Sequence, residues 1–580
     1  MFKADFIKKI TLSLSFLFTI NYYGTANADT IKKEEISSLI NLNEKNKFSN
    51  FKDFLKHIEK KASPNLLNSI KLFKNGKISS QDDFINIYRL LGIYARISYK
   101  DDLIKILTEL VAIPTYKKND LPQYQNPEII RFGKAIEKIA KDFGLEYKNI
   151  DNRIFEVTLK GSGKESFGVY THADVVPTDE SKWVLNDGTK LNPYKLTVID
   201  EKIYGRGTED DKCSIVVTLF AMKLIKENNL KLKRSIRLLI ETTEETSGEG
   251  IEYFKKTNKL PDYNIVLDSS YPVVTAEKGF GVIKTFFPLK EVKEKGAEIV
   301  NITGGLAYNQ IPSTSVANIL SENTQLLENK INSIATKFIS ENGNNFKIST
   351  TIEKNGSLNL QIKGKSAHSA SPQNGINPIP LLCLFIKELD KDINFKKNNI
   401  KEAIDYVNNN FGLDFYGKKL GIDYKDDFMG PLTTSVTYLN NINGEFELAV
   451  NLRAPKGKEP LELKKEIEEK LAKYKKEHNS TFKLEVSTGN YMYRDIKGNW
   501  INTLLNVFGE VTGKEAKPIS TSGGTTAKQL INGVSFGPSM PGEEYTGHTD
   551  NEFKKVQNFL FDIQMFTEMF LRIGNLEKMD

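Results

Sequence analysis

The sequence FGVYTHADVVP, at residues 167–177, joins a short β-rich run directly to a histidine and an aspartate. Three further β-rich runs occur nearby, at 153–159, 235–241 and 264–268. Amphipathic patterns typical of helices lie between the runs, at 126–143 and 212–228. Because strands alternate with helices, we predict an α/β fold with a mostly parallel, doubly wound catalytic sheet that has helices on both faces.

Ionisable side chains follow three of these runs. His172 and Asp174 follow the first, Glu244 and Glu245 follow another, and Asp268 closes a third. In doubly wound sheets, ligands bind beyond the carboxyl ends of the strands. The pattern therefore predicts a metal-competent cluster at one edge of the sheet. A histidine satisfied by an aspartate in a structural loop, and a solvated acidic turn, are the alternative interpretations of the separate motifs.

The alternation of strand and helix ends near Gly281. A long mixed stretch follows, with a strand at 446–453 and an amphipathic helix near 461–478, and helix and loop resume after about 490. Ahead of the alternation, apolar residues at three- and four-residue spacing predict helices. We therefore predict a signal peptide (1–28), a helical N-terminal extension (29–99), and a catalytic domain formed by two segments (100–281 and 490–580) that a large α+β lid domain (282–489) interrupts.

Residues 1–28 have the plan of a secretory signal peptide. Early lysines precede an apolar run from Ile10 to Ile20, and the segment ends at the small-residue triplet Ala26-Asn27-Ala28. The apolar run has about half the length that a membrane-spanning helix needs. We expect cleavage after Ala28, a periplasmic or secreted protein, and no stable membrane insertion after signal removal. An uncleaved anchor is the alternative.

The composition of the 580 residues, 39% hydrophobic and 27% charged, excludes wholesale disorder and fibrous repeats. The formal charge is +7, but the basic residues are spread along the chain, so we expect no nucleic-acid partner. Two cysteines exclude a disulfide framework. Imidazole chemistry is restricted to five histidines: His57, His172, His368, His478 and His548.

Two more motifs carry ionisable groups. The stretch YGRGTEDDK, at 204–212, has glycines that allow a tight entry into a predicted helix, and GHTDNE, at 547–552, supplies a late histidine. The acidic residues of the first motif also fit a helix start that complements the helix dipole.

In this order the motifs resemble the zinc-dependent metallopeptidases that include peptidase V and carnosinase-like dipeptidases, carboxypeptidase G-type enzymes, aminoacylases and succinyl-diaminopimelate desuccinylase. The resemblance extends from about residue 100 to residue 580. Glu277-Lys278-Gly279 and Gly523-Gly524-Thr525 are most similar to the peptidase V-like dipeptidase branch.

The resemblance implies two zinc ions as cofactors, with manganese or cobalt as metals that the same donors accept. The implied ligands are Asp210 as the bridge, His172 and Asp268 at one ion, and Glu245 and His548 at the other. Glu244 would be the general base. Asp174 would accept a hydrogen bond from the second ring nitrogen of His172 and so orient it. A cis peptide bond after the bridging aspartate is also implied.

The inserted region is similar to the family's lid domain. His368, in GKSAH at 364–368, is implied to stabilise the oxyanion, and Arg453 is implied to hold the substrate carboxylate in a bidentate fork. Asn309 is a further candidate for the same cleft. Because an enlarged lid supplies its histidine in cis in this branch, we expect a monomer.

Cys213 departs from the family pattern, which has glycine after Asp-Asp-Lys. We interpret it as a packing residue, while a thiol that joins or disturbs the zinc site is the alternative.

The sequence thus predicts an exported metallohydrolase that cleaves the amide bond of dipeptides or short peptides. An N-acyl-amino-acid deacylase or carboxypeptidase on the same scaffold is the nearest alternative, and it differs in whether a free substrate amine is required. A non-catalytic peptide-binding protein would be expected to lack a ligand or the base, and the sequence retains all of them.

Overall fold

Two large β-sheets organise the part of the chain that the computed structural model describes, namely residues 48–118, 121–290, 292, 295–442 and 445–580. The predicted signal peptide and the first residues of the predicted extension lie outside these ranges. No helix within the ranges is long and apolar enough to cross a membrane.

The central sheet has nine strands. Eight of them follow one another across the sheet in the order Glu146–Ile150, Ile154–Leu159, Ser235–Glu241, Ser166–His172, Tyr263–Val266, Gly533–Ser535, Val273–Glu277 and Met492–Tyr493, and Pro518–Thr521 also pairs with Val273–Glu277. The four strands at its centre run parallel, and antiparallel strands flank them. The strand Ser166–His172 is buried along its whole length, as expected for a sheet that is covered on both faces.

Helices cover both faces of this sheet, which confirms the predicted fold class. The larger core involves the helices Lys100–Val111, Pro127–Asp142, Lys212–Glu227, Asn499–Thr512 and Val556–Asn575. On the other face, Ile251 and Phe254 of the helix Glu249–Thr257 pack with Tyr170 and Leu239 of the strands. Local sequence explains individual helix starts: Asn126 caps the helix Pro127–Asp142 by accepting the N–H of Glu128.

Apart from residues 279–281, the second sheet lies within 282–489, the stretch interpreted as the lid. Its eight strands are all antiparallel, in the order Lys347–Ile352, Leu358–Lys363, Thr314–Leu320, Glu298–Gly304, Thr433–Ile442, Glu445–Ala454, Gly279–Pro288 and Lys483–Thr488. The helices Thr324–Glu341, Pro378–Ile393, Asn399–Asn410 and Pro460–Glu477 share a separate hydrophobic core with it. Only Lys278 separates the central-sheet strand Val273–Glu277 from the first strand of this sheet.

Small sheets join distant motifs. Phe553–Lys555 pairs with Lys202–Tyr204, which pairs with Thr197–Ile199, so the stretches 204–212 and 547–552 lie side by side. The other short pairs are Gln310–Ile311 with Ala367–His368, Lys425–Asp426 with Gly430–Pro431, and Ser269–Ser270 with Pro538–Ser539. Short 3-10 helices occupy Gln123–Gln125, Glu180–Lys182, Pro372–Asn374 and Thr526–Gln529.

The N-terminal helices are Phe51–Ile58, Pro64–Lys74 and Gln81–Ser98. The last of them lies along the C-terminal helix Val556–Asn575, and Arg89 pairs with the buried Glu568 at 3.2 Å. Their apolar residues belong to the same core as the central sheet. The extension is therefore an added helical layer on the sheet's helices.

Candidate metal centre and substrate cleft

The structure brings the five residues predicted to bind metal into one cluster. His172, Asp210 and Asp268 can offer ligand atoms that all lie within 4.8 Å of one another, and the same is true of Asp210, Glu245 and His548. Asp210 belongs to both groups. The cluster therefore has the composition of two adjoining cation sites that share one carboxylate.

Strand topology explains this convergence. His172 ends the strand Ser166–His172 and lies opposite Glu241 in the register, so Glu244 and Glu245 follow at the same sheet edge. Asp268 follows the neighbouring parallel strand Tyr263–Val266. Asp210 immediately precedes the N-cap residue of the helix Lys212–Glu227, and the peptide bond from Asp210 to Asp211 is cis, as the resemblance implied.

Asp210 is the centre of the short contacts. Its Oδ1 lies 2.8 Å from His172 Nε2, and its Oδ2 lies 3.0 Å from His548 Nε2. His548 Nε2 is also 2.6 Å from Glu245 Oε1. Tyr545, which we did not predict, donates its hydroxyl to Asp210 Oδ2 at 2.6 Å.

The pKa shifts in the cluster reflect burial and the close approach of several carboxylates. Burial and the charges of Asp210 and Glu244 raise the pKa of Asp268 well above its usual value. Hydrogen bonds to Asp210 and Glu245 raise the pKa of His548 to about 10. The pKa of His172 is also raised well above its usual value, because its carboxylate neighbours Asp174 and Asp210 outweigh burial. The two imidazoles thus balance part of the carboxylate charge. Imidazole nitrogens and carboxylate oxygens are also donors that would suit zinc, manganese or cobalt.

Glu244 borders both sites without belonging to either of the groups that share Asp210. Its carboxylate lies within ligand-atom reach of His172 and Glu245, in a third group. Burial and the adjacent Glu245 and Asp174 carboxylates raise its pKa, although His172 opposes them. Glu244 is therefore a carboxylate beside both candidate cation sites, and neither of the groups that share Asp210 needs it to be complete.

Asp174 acts differently from the prediction. The carbonyl oxygen of its backbone lies 2.9 Å from His172 Nδ1, whereas its carboxylate Oδ1 is 3.6 Å from that nitrogen. The carboxylate instead accepts the backbone N–H groups of Glu244 at 3.2 Å and Glu245 at 3.1 Å. Asp174 therefore connects the His172 loop to the Glu244-Glu245 turn, because two turn amides need acceptors that no strand supplies.

Glu552 is a buried supporting residue that sequence reasoning missed. Its side chain is fully buried, pairs with Arg206 at 2.6 Å, and accepts the backbone N–H groups of Gly207, Glu209 and Asp210 at 2.8–3.1 Å. These contacts hold the loop that carries Asp210. The motif at 547–552 contained the residue, but only the fold shows that its partners are backbone amides.

Cys213 is buried in the helix that follows Asp211, and burial raises the pKa of its thiol well above the usual value. Among the described residues, the groups that could hold a metal do not include Cys213. Its environment fits a packing residue.

The lid contributes a second group of predicted site residues. His368 Nδ1 accepts the backbone N–H of Ala370 at 3.2 Å, and burial together with the nearby Arg453 charge lowers the pKa of His368. The strand Ala367–His368 pairs with Gln310–Ile311, and Asn309 next to it accepts the N–H of Ser369 at 3.0 Å through its backbone carbonyl. Asn309 is thus close to His368 along the backbone, and its side chain is exposed.

Arg453 is 5% exposed and lies on the lid strand Glu445–Ala454. Its guanidinium donates to Asn451 Oδ1 at 3.2 Å and to the carbonyl of Ser522 at 3.3 Å. Ser522 lies outside the lid sheet. Burial lowers the pKa of Arg453 to about 10. A buried guanidinium whose partners are neutral oxygens is suited to bind an anionic ligand.

Comparisons with known proteins find matches over most of this chain. A family model described as Peptidase family M20/M25/M40 matches residues 168–572. The Bacillus subtilis (strain 168) protein YtjP is 28% identical over 486 residues, which cover 82% of this chain and 98% of the relative. The Beta-Ala-Xaa dipeptidase of Lactobacillus delbrueckii subsp. lactis is 28% identical over 493 residues, 83% of this chain and 97% of the relative. Among solved structures, human carnosine dipeptidase 1 is 14% identical with a TM-score of 0.49, covering 85% of this chain and 99% of that chain.

Proposed function

This chain belongs to peptidase family M20/M25/M40, and from that premise we propose that it is an exported dipeptidase with two zinc ions, which hydrolyses the amide bond of dipeptides or short peptides. The observation that carries the proposal is the pair of ligand groups that share Asp210, with Glu244 beside both. A relative named as a dipeptidase, matching more than four-fifths of the chain, supports the substrate class.

The residues that would hold the two ions are His172 and Asp268 at one site, Glu245 and His548 at the other, and Asp210 at both. When bound, the ions supply positive charge that polarises the scissile carbonyl and makes a water molecule easier to deprotonate.

Glu244 is the residue we place at the proton transfers. Its backbone N–H is fixed by the Asp174 carboxylate, and its own carboxylate lies at the cluster without being needed to complete either ligand group. It takes a proton from the attacking water and returns it to the leaving amine.

His368 is placed at the oxyanion. Because its Nδ1 accepts the Ala370 N–H, the neutral ring carries its hydrogen on Nε2, and the lowered pKa favours this neutral form near pH 7. The Nε2–H group can then donate to the oxygen that becomes negative in the tetrahedral intermediate. Arg453 binds the substrate carboxylate, and the exposed side chain of Asn309 lines the same cleft.

Replacing Glu244 tests the proposal. Glu244→Ala should lower kcat for dipeptides by on the order of 10²-fold or more, because general base catalysis is lost, while metal content measured by mass spectrometry stays at the parent level. Glu252→Ala, on the exposed face of the next helix, is the matched control and should keep the parent rate. A metal-loaded Glu244→Ala protein that hydrolyses dipeptides at the parent rate would show that the assignment is wrong.

A second test measures hydrolysis of a panel of free dipeptides and of their N-acylated forms by the zinc-loaded protein, with and without a chelator. We expect hydrolysis of the free dipeptides, abolished by chelation. Hydrolysis confined to the N-acylated compounds would instead favour the deacylase.

Export and oligomeric state belong to the same proposal. Amino-terminal sequencing of the mature protein should begin at Asp29, and a mature protein that begins at Met1 would contradict signal cleavage.

Light scattering after size exclusion should give a monomer mass, and an obligate dimer would contradict the role of His368 in cis.

A further inference from the structure

The positive charge of the chain is concentrated in its first 80 positions. Those positions contain 14 lysines and 7 acidic residues, out of 81 basic and 74 acidic residues in the whole chain. Residues 81–580 therefore contain 67 of each, and the net charge of +7 belongs entirely to residues 1–80. Basic residues are spread along the chain, but their excess over acidic residues is not.

Seven of these 14 lysines lie in the first two described helices, Phe51–Ile58 and Pro64–Lys74, and in the turns that follow them. The same stretch, 51–78, has two acidic residues, Asp53 and Glu59, so its net charge is +5. The side chains of all seven are exposed: Lys52, Lys56, Lys60, Lys61, Lys71, Lys74 and Lys77. We refer to them as the extension lysines.

Contacts between the two helices bring the extension lysines together. The rings of Phe51 and Phe73 lie 6.3 Å apart, so Lys52 and Lys74, their neighbours in sequence, are on adjoining turns. Lys74 Nζ also lies 2.6 Å from the carboxylate of Glu59, the residue before Lys60 and Lys61. The lysines of the second helix therefore lie beside those of the first helix and its following turn.

The apolar faces of these helices are occupied by the protein itself. The rings of Phe51 and Phe54 lie 5.7 and 5.6 Å from the ring of Tyr94, in the helix Gln81–Ser98. Leu66 and Ile70 of the second helix are buried in the same core. The outward surface of the pair thus offers charge without a free apolar face.

The extension lysines also have few carboxylates near them. Among the described residues, one of the seven, Lys74, forms an ion pair. The lid helix Pro460–Glu477 is a useful contrast, because it has six lysines with five glutamates, and pairs such as Lys465 with Glu469 join them. Lysine content alone is therefore not unusual in this chain. The missing acidic residues distinguish the extension.

We propose that the extension lysines attach the protein to an anionic lipid bilayer. Clusters of four to eight basic residues near a membrane segment bind anionic lipid headgroups by charge. Only 30 positions separate Phe51 from the apolar run that ends at Ile20, so the proposed export brings the extension to a bilayer surface. Because the apolar faces are occupied, the attachment is electrostatic and does not insert the helices.

Vesicle sedimentation tests this attachment with the exported protein, purified with the amino terminus that the cell leaves. It should sediment with vesicles of phosphatidylglycerol and phosphatidylcholine in equal parts, and not with pure phosphatidylcholine. Binding at 0.1 M NaCl should be lost at 0.5 M, because salt screens exposed charges.

A quadruple variant removes four of the charges: Lys52→Gln, Lys56→Gln, Lys60→Gln and Lys61→Gln. Its partition coefficient on the anionic vesicles should fall by on the order of 100-fold or more, because each lysine near such a surface contributes about fivefold. The matched control changes four exposed lysines of the lid helix, and so the net charge equally: Lys465→Gln, Lys470→Gln, Lys473→Gln and Lys476→Gln. The control should keep the parent partition coefficient, and both proteins should keep the parent Tm.

Equal sedimentation of the parent with the two kinds of vesicle, or with neither, would overturn the proposal. An equal loss of binding in the two quadruple variants would also overturn it, because net charge rather than the extension would then decide binding. A 20-base-pair DNA duplex is tested in parallel, and parent protein that binds the duplex but not the anionic vesicles would assign the lysines to nucleic acid instead. Lys71→Gln with Lys77→Gln, in the second helix and its turn, should lower vesicle binding by about 10-fold or more and supplies an independent variant.

Discussion

At the scale of single residues, the candidate metal centre depends on side chains outside the two proposed ligand groups. Glu552 collects three backbone amides and the Arg206 guanidinium, and this fixes the loop in which Asp210 stands between two histidines. Asp174 performs the corresponding task for the Glu244-Glu245 turn. Such supports decide how well ligands are oriented, and their loss commonly weakens metal binding by one or two orders of magnitude.

Glu552→Gln should therefore weaken zinc binding without removing a ligand. The amide keeps the shape of the side chain but leaves the buried Arg206 charge unpaired, which costs about 3–5 kcal/mol in buried pairs. Zinc affinity, measured by competition with a chelating dye, should fall by about 10- to 100-fold, with a lower Tm. Asp550→Asn, in the same loop but exposed, is the control and should leave both unchanged. Parent zinc affinity in Glu552→Gln would contradict this role.

The proposed ligands could be named because they lie in short motifs that resemble those of a known family, most of them at a predicted strand end or next to a glycine. Glu552 and Tyr545 could not, because their partners are a backbone amide or another residue's carboxylate over 300 positions away. The sequence also assigned the orientation of His172 to the carboxylate of Asp174, because a sequence does not show the path of the backbone in a loop. Only the folded backbone shows that the carbonyl is nearer to His172 Nδ1.

At the scale of elements, hydrophobic patterning located the strands and helices well. The predicted strand at 235–241 is observed as Ser235–Glu241, and the predicted helix at 126–143 is observed as Pro127–Asp142. The run at 264–268 is a shorter strand, Tyr263–Val266, because Asp268 turns into the cluster. The position of the N-terminal helices was beyond sequence reasoning, since their main contact joins residues more than 450 positions apart.

The packing of the helix Gln81–Ser98 on the C-terminal helix should be sensitive to one methyl group. A Cβ at Gly92 would lie 2.7 Å from the backbone carbonyl oxygen of Gln564, which cannot rotate away. Gly92→Ala should therefore lower the free energy of unfolding by about 1–3 kcal/mol, despite the better helix propensity of alanine. Chemical denaturation measures this, with Gln81→Ala at the exposed helix start as the control. A Gly92→Ala protein as stable as the parent would show that the two helices are not closely packed in solution.

At the scale of the whole molecule, two sheets with separate cores meet at Lys278 and at the contact between Arg453 and Ser522. The proposed metal ligands and general base lie at the ends of the central strands, in loops that follow them or in loops that pack beside them, whereas Arg453 lies on the lid sheet and His368 on the short strand Ala367–His368 of the lid stretch. This division explains why a sequence can encode the chemistry in short, widely separated motifs.

The central claim is that two cations share Asp210 in this cluster. X-ray diffraction from zinc-loaded crystals at the zinc absorption edge tests it most directly. We predict two anomalous peaks, one among His172, Asp210 and Asp268 and the other among Asp210, Glu245 and His548. A single peak, no peak, or peaks bound elsewhere in the molecule would contradict the claim.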